Sequence, residues 1–332
     1  MLSSLKSLLP SSPSTPPLAV ATKEGLLPEL TNGVEVTVDE LAFYQIHSQR
    51  WQPPKKSVWS QLNGQHASPK KGRGMTFSEV RQYQAGDDVR QIDWRVTART
   101  GKVHTKLFTE ERERPVVLFI DLSSSLFSGT TLLLKSVQLC HLASLLSWVA
   151  LSTQDRVGAV IRYQDQLIEI RPSSSRCAIL HLLQQLCQIH NQHIQQSDIT
   201  TRSHTTSDSA LSALVNLCKK GSELIILSDF STITDDELTA VTHLSKHNRV
   251  RAVMLYDPIE VGESPAKGQQ SVQGKRHEIQ LDLSNKQTRN DIKHSFEQRF
   301  AYIAQSLLPY GIALSKISSG QPLLLQLLSD QQ

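Results

Sequence analysis

The sequence predicts an α/β fold: a mostly parallel central sheet with helices on both faces, preceded by a smaller N-terminal segment. Three observations carry that expectation. From residue 115 onward, short runs of β-type residues alternate with helical patterns. Two of those runs, Val116-Val117-Leu118-Phe119-Ile120 and Leu224-Ile225-Ile226-Leu227, are apolar at every position, as buried strands require. The chain has 332 residues, 39% of them hydrophobic, which is enough for a real core and about two domains' worth of length.

The elements follow in order. Residues 1–35 read as a flexible leader whose first 17 residues are rich in Ser and Pro. A helical pattern covers 38–49, and 52–73 reads as an exposed loop with Pro53-Pro54, Lys55-Lys56 and Lys70-Lys71. Residues 36–114 form an N-terminal region, and 115–320 the sheet domain. Strand 116–120 precedes a helix over 132–151. That stretch is the longest apolar one, but Lys135, Gln138, His141 and three serines argue against a membrane span. Strands 156–163 and 166–171 form a hairpin around Gln164-Asp165. Helices over 176–190 and 207–219 lead to strand 224–227, helix 235–246 and strand 249–256. A polar insertion, 260–275, precedes strand 277–281, helix 285–306 and a strand at 311–315.

Composition points to a cytoplasmic chain. The N-terminus lacks the apolar core of a signal peptide. Cys140, Cys177, Cys187 and Cys218 show no CxxC spacing and sit in apolar helical patterns, as buried thiols in a reducing compartment would. His190 and His193 have no matching metal-binding pair. Net charge is +4, and its excess lies in residues 51–114, with 13 Lys/Arg against 7 Asp/Glu. Those arginines alternate with acids and lack a stripe of stacking aromatics. That favours ion pairs over nucleic-acid binding, which stays open as an alternative.

Candidate chemistry begins at Asp121-Leu122-Ser123-Ser124-Ser125, directly after the first apolar strand. One carboxylate and two hydroxyls on one tight loop are hard oxygen donors suited to Mg²⁺, with Mn²⁺ or Ca²⁺ as alternatives. A helix N-cap is the competing reading. The strand 224–227 also runs into an acid, Asp229, and ligands in open parallel sheets bind outside the carboxyl ends of the strands. Between them, the polar loop 204–211 offers Thr205 or Thr206. This set resembles the metal-ion-dependent adhesion site of von Willebrand factor type A domains. The resemblance assigns the metal to Asp121, Ser123, Ser125, Thr205 (or Thr206) and Asp229. It departs from that pattern at Phe230, where such domains often carry Gly, and in a threonine loop without glycines.

Residues 72–114 are dense in rigid and charged residues. The run Glu79-x-Arg81-x-Tyr83-x-x-Gly86-Asp87-Asp88-x-Arg90-x-Ile92-Asp93-Trp94-x-x-x-Ala98-Arg99-Thr100-Gly101 resembles the signature of the domain-of-unknown-function 58 family. The resemblance covers roughly 70–320. It implies a von Willebrand A-like domain, no established enzymatic activity, and a protein partner: a MoxR-type AAA+ ATPase or another von Willebrand A protein. Many members begin with two transmembrane helices, and this chain shows none. Read physically, Asp87 or Asp88 caps a helical start. Arg90, Arg95 and Arg99 share part of one face, Trp94 packs inward, and the arginines clasp Glu79, Asp93, Glu110 or Glu111. Arg81, Asp87, Asp88, Arg90, Asp93, Trp94, Arg95 and Arg99 are thus structural candidates.

The functional expectation is a non-enzymatic interaction module, an adaptor for a MoxR-type ATPase in protein assembly or maturation. A Mg²⁺-dependent phosphoesterase is the alternative, with Asp121 and Asp229 as ligands and Asp88 or Asp93 as base. No Gly-x-x-x-x-Gly-Lys-Ser/Thr loop and no Gly-x-Ser-x-Gly elbow is present, which argues against ATP binding and serine hydrolysis.

Overall fold

Residues 18–50 form three short helices: α1 (Leu18–Lys23), α2 (Val38–Ala42) and α3 (Tyr44–Arg50). They belong to a computed structural model that describes residues 18–50, 67–68, 75–111, 114–164, 166–196, 213–266, 268–273 and 278–329. The chain divides into two compact units, residues 63–114 and the remainder. Thr37 starts α2 with a capping box, its hydroxyl accepting from the Glu40 N–H. Although 1–35 reads as a leader, Ala21, Leu26 and Leu27 are buried in the main core. Their apolar side chains offset the ordering cost that a Ser/Pro-rich stretch would not.

The smaller unit holds β1 (Ala67–Ser68), β2 (Met75–Gln82), α4 (Trp94–Thr100) and β3 (His104–Glu111). Its strands form an antiparallel sheet in the order β1-β3-β2. Asp88 accepts from the Arg90 N–H, and Asp93 caps α4 by accepting from the N–H groups of Arg95 and Val96.

The larger unit continues with β4 (Val116–Asp121), α5 (Lys135–Ser152), β5 (Val157–Tyr163), β6 (Gln166–Ser173) and α6 (Arg176–Gln195). Then come β7 (Glu223–Ser228), α7 (Asp235–Ser245), β8 (Arg249–Tyr256), β9 (Gln269–Gln273), β10 (Glu278–Asp282), α8 (Lys286–Leu307), β11 (Ala313–Ser318) and α9 (Leu323–Ser329). Six strands make the central sheet, in the order β11-β8-β7-β4-β5-β6. All neighbours are parallel except β5 and β6, the predicted hairpin.

Alternation along the central strands divides the core in two. Leu118, Ile120, Ile225, Leu227, Val253 and Leu255 pack with α5, α6, α9 and the N-terminal helices. Val117, Phe119, Leu224, Ile226, Ala252 and Met254 pack with α7 and α8 on the other face. Both faces are covered, which is why these strands read as unbroken apolar runs.

Three expectations change. The predicted strand at 277–281 is β10, but among the described residues it pairs only with β9, inside the stretch read as a polar insertion. Neither of these strands has the apolar run that a central strand needs. Of the helix expected over 207–219, a turn at 213–217 is described and 207–212 lie outside the described residues. The helix α9 falls beyond the expected end at 320, and its Leu323, Leu324 and Leu327 are buried.

Candidate functional site

Parallel register brings the carboxyl ends of β4 and β7 together. The pair Ile120↔Leu227 is the last in that ladder, so Asp121 and Ser228 follow side by side, with Asp229 next. The sequence-predicted Asp121, Ser123, Ser125 and Asp229 therefore share one edge of the sheet. Thr205 and Thr206 lie outside the described residues.

Asp121 is fully buried and fully engaged. Arg162 grips it with two parallel bonds, Nε to Oδ1 at 3.1 Å and Nη2 to Oδ2 at 2.9 Å. The geometry follows from register, because Asp121 pairs directly with Arg162 on β5. Ser228 donates its hydroxyl to Oδ2 at 2.6 Å, and Thr232 does so at 3.4 Å. Arg162 also donates to Glu237 Oε1 at 2.8 Å and lies over the Phe119 ring. Burial alone would lower the Arg162 pKa, but Asp121 and Glu237 raise it above its ordinary value.

Asp229 is held by a second cation. Its Oδ1 accepts from the N–H and hydroxyl of Ser231 at 2.9 and 2.7 Å. Its Oδ2 accepts from the Lys135 ammonium at 3.2 Å. Lys135 is buried and also donates to Glu260 Oε1 at 2.5 Å, and Arg299 donates to Glu260 Oε2 at 3.0 Å. Burial would raise the Asp229 pKa; the Lys135 charge and the serine hydrogen bonds outweigh it and hold the carboxyl below its ordinary range. The hydroxyls of Ser123 and Ser125 stand 3.1 Å apart, and Ser125 meets Ser231 at 2.7 Å. A chain of hydroxyls thus runs from Ser123 inward to Asp229.

The residue after Asp229 carries a mark of strain. Phe230 has φ of +57°, a left-handed conformation that a bulky side chain rarely adopts. Its ring is buried in the second core cluster, and its N–H donates to the Ser228 hydroxyl at 2.9 Å. Packing and that hydrogen bond hold a turn for which Gly would be the easy residue.

These residues, as folded, do not fit a divalent ion. The donor types are right, but every Asp121 and Asp229 oxygen accepts a hydrogen bond, and both carboxylates are paired with buried cations. Among the described residues, no three or more His, Cys, Asp or Glu side chains converge as a metal site. Sequence reasoning missed Lys135, Arg162, Ser228, Ser231, Glu237 and Glu260. Only Ser228 had a local signal, as the neighbour of Asp229 at a strand end.

In the smaller unit the arginines behave differently from expectation. Arg81 pairs with Asp87 at 2.7 Å, and Lys106 lies 3.5 Å from Asp93. The side chains of Arg90, Arg95 and Arg99 are exposed, as is Glu79. Trp94, expected to pack inward, is 69% exposed. The seven residues of α4 make too short a helix to bury a whole face, and its cap is supplied by Asp93. Glu110 and Glu111 have side chains outside the described set. Asp88 and Asp93, the base candidates of a phosphoesterase, both serve as caps.

Comparison with known proteins places the chain. An uncharacterized protein of Mycobacterium tuberculosis and one of Mycobacterium bovis are each 36% identical to it over 107 residues, 32% of this chain and 34% of theirs. The chain thus matches about a third of the length of these relatives. Among solved structures, the conserved hypothetical protein BatB from Bacteroides thetaiotaomicron aligns with TM-score 0.37 and 12% identity, over 66% of this chain and 98% of that one. An aerotolerance-related membrane protein from Bacteroides fragilis, carrying multiple mutations to serines, aligns with TM-score 0.37 and 13% identity, over 62% and 93%. The sequence also matches, over residues 79–301, the family described as protein of unknown function DUF58, and with more than half of its length covered the chain belongs to that family.

Proposed function

We propose that the chain is a non-enzymatic protein-interaction module that docks a protein partner at the carboxyl edge of its parallel sheet. The observation that carries this reading is the polar edge itself. Buried acids, each locked by a cation, underlie the partly exposed hydroxyls of Ser123, Ser125 and Ser231. Such an edge is rigid and rich in hydrogen-bonding groups, as recognition requires. Its carboxylates are engaged by cations and hydroxyls, which suits neither a general acid nor a nucleophile. The family resemblance supplies the partner class: a MoxR-type AAA+ ATPase, with this chain as an adaptor in assembling or maturing other proteins.

The test is capture of a purified MoxR-type ATPase. Ser124 is exposed on the first loop, so Ser124→Trp places a bulky ring across the edge without touching the ion pairs. Capture by the parent chain and loss with Ser124→Trp at unchanged melting temperature is the expected result. Equal capture by both would show that the partner docks elsewhere.

A further inference from the structure

We infer that in this chain the Lys135 ammonium on Asp229, together with the Arg162 guanidinium on Asp121, stands in for the divalent ion of an adhesion-type site, so that docking is metal-independent. This rests on the reading of the edge as a docking surface and deepens it. A divalent ion such as Mg²⁺ needs about six oxygens at ~2.1 Å with lone pairs free to point at it. Here Asp121 spends both oxygens on Arg162 and on hydroxyls, and Asp229 spends its oxygens on Ser231 and Lys135. An entering ion would face a buried ammonium. That ammonium cannot simply swing away, because its other contact is Glu260, itself held by Arg299.

The charge balance points to the partner's chemistry. A bound metal would present positive charge and accept a partner carboxylate. This cluster instead holds four carboxylates (Asp121, Asp229, Glu237 and Glu260) against three cations (Lys135, Arg162 and Arg299), with hydroxyls on the first loop and at Ser231 and the partly exposed Arg299–Glu260 pair at its outer side. The group it receives is neutral or cationic, not acidic. An evident corollary concerns the ammonium. Without it, Asp229 and Glu260 would face each other across the space it leaves, with the Ser125 and Ser231 hydroxyls nearby. Two carboxylates and two hydroxyls are the donor set of a hard cation.

Mn²⁺ titration followed by electron paramagnetic resonance decides the matter on the full chain, with no partner present. The parent protein should leave the free-Mn²⁺ signal undiminished at this site. Lys135→Ala should bind one Mn²⁺ per chain and melt higher as Mn²⁺ is added. If Lys135→Ala does not fold, Lys135→Gln, which keeps most of the stem, replaces it. One-to-one binding by the parent that Asp229→Asn abolishes overturns the inference, as does a folded Lys135 variant that gains no Mn²⁺. Binding that survives Asp229→Asn lies elsewhere and leaves the inference standing. Because the readout needs no partner, failure of ATPase capture would count against the docking reading alone.

Discussion

Each carboxylate at the strand ends is defined by the cation beside it. Arg162 and Asp121 are both almost fully buried, and Arg162 also holds Glu237. Arg162→Met keeps much of the apolar stem but leaves two buried carboxylates without their charge partner. The expected loss is roughly 3–5 kcal/mol, read as a lower urea midpoint. Arg95→Ala, at an exposed arginine of the smaller unit, should leave the midpoint unchanged within error. Equal midpoints for parent and Arg162→Met would mean that the Arg162 pair contributes nothing to folding. The contrast also shows where the sequence could be read. Asp121-x-Ser-x-Ser is a local pattern and stood out. The partners of its acids lie 41 residues away at Arg162 and, for Asp229, 94 residues away at Lys135, so only folded register reveals them. The opposite error occurred where charge was dense. Arginines close to acids in sequence looked like a clasp, yet Asp93 is occupied by backbone N–H groups at the start of α4, and Arg90, Arg95 and Arg99 are exposed.

Helix α6 joins the sheet domain to the N-terminal segment through a neutral histidine. His190 is fully buried, with Nε2 2.9 Å from the Ser136 hydroxyl on α5 and Nδ1 3.2 Å from Asn191 Oδ1. That pairing assigns the ring proton to Nδ1, with Nε2 accepting from Ser136. Asn191 in turn bonds both the N–H and the carbonyl of Val36. Burial, assisted by nearby His193 and His141 and opposed by Asn191 and Glu40, lowers the His190 pKa from 6.5 to about 4. The folded chain therefore leaves His190 neutral where the unfolded chain would protonate it. Its contribution to stability is complete above about pH 6.5 and is lost as pH falls toward 4, amounting to roughly 3 kcal/mol. His193, also lowered by burial, acts in the same direction. Urea midpoints should fall between pH 7 and pH 4, and His190→Gln should flatten most of that slope. An identical slope in the variant would assign the effect to other groups. Elements of this kind were legible: α5, α6, β7 and β8 lie within about five residues of their predicted ends, because apolar periodicity marks them. Of the β9–β10 ribbon only β10 was, since Gln269–Gln273 carries no apolar run to signal a strand.

At the scale of the whole molecule, the helix α5 is the hub. Sixteen of its 18 residues are buried, so it is apolar nearly all round without being a membrane span; no described helix is long and apolar enough to cross one. A helix buried on every side needs cover on every side. The sheet covers one face through Leu118, Ile120 and Ile225, and the N-terminal helices supply another through Leu27, Leu41 and Tyr44. The contact is specific as well as apolar. Glu40 accepts from His141 at 2.8 Å and from Thr31 at 2.9 Å, and Ser144 donates to the Leu41 carbonyl at 2.6 Å. At Gly33, φ is +82° and an added Cβ would stand 2.7 Å from the Leu132 carbonyl oxygen, so the chain passes too close for any larger residue. The segment that composition marks as a leader is, from residue 18 on, part of the core that α5 requires. Removing residues 1–50 should therefore uncover α5 and leave His141 and Ser144 without their partners. The truncated chain should bind a hydrophobic dye and lose its near-ultraviolet circular dichroism while keeping helical signal, as loosely packed states do. Glu40→Gln is the milder companion, weakening the His141 contact with the apolar cover in place. A 51–332 chain that unfolds cooperatively at the parent's midpoint would show that the N-terminal segment is dispensable.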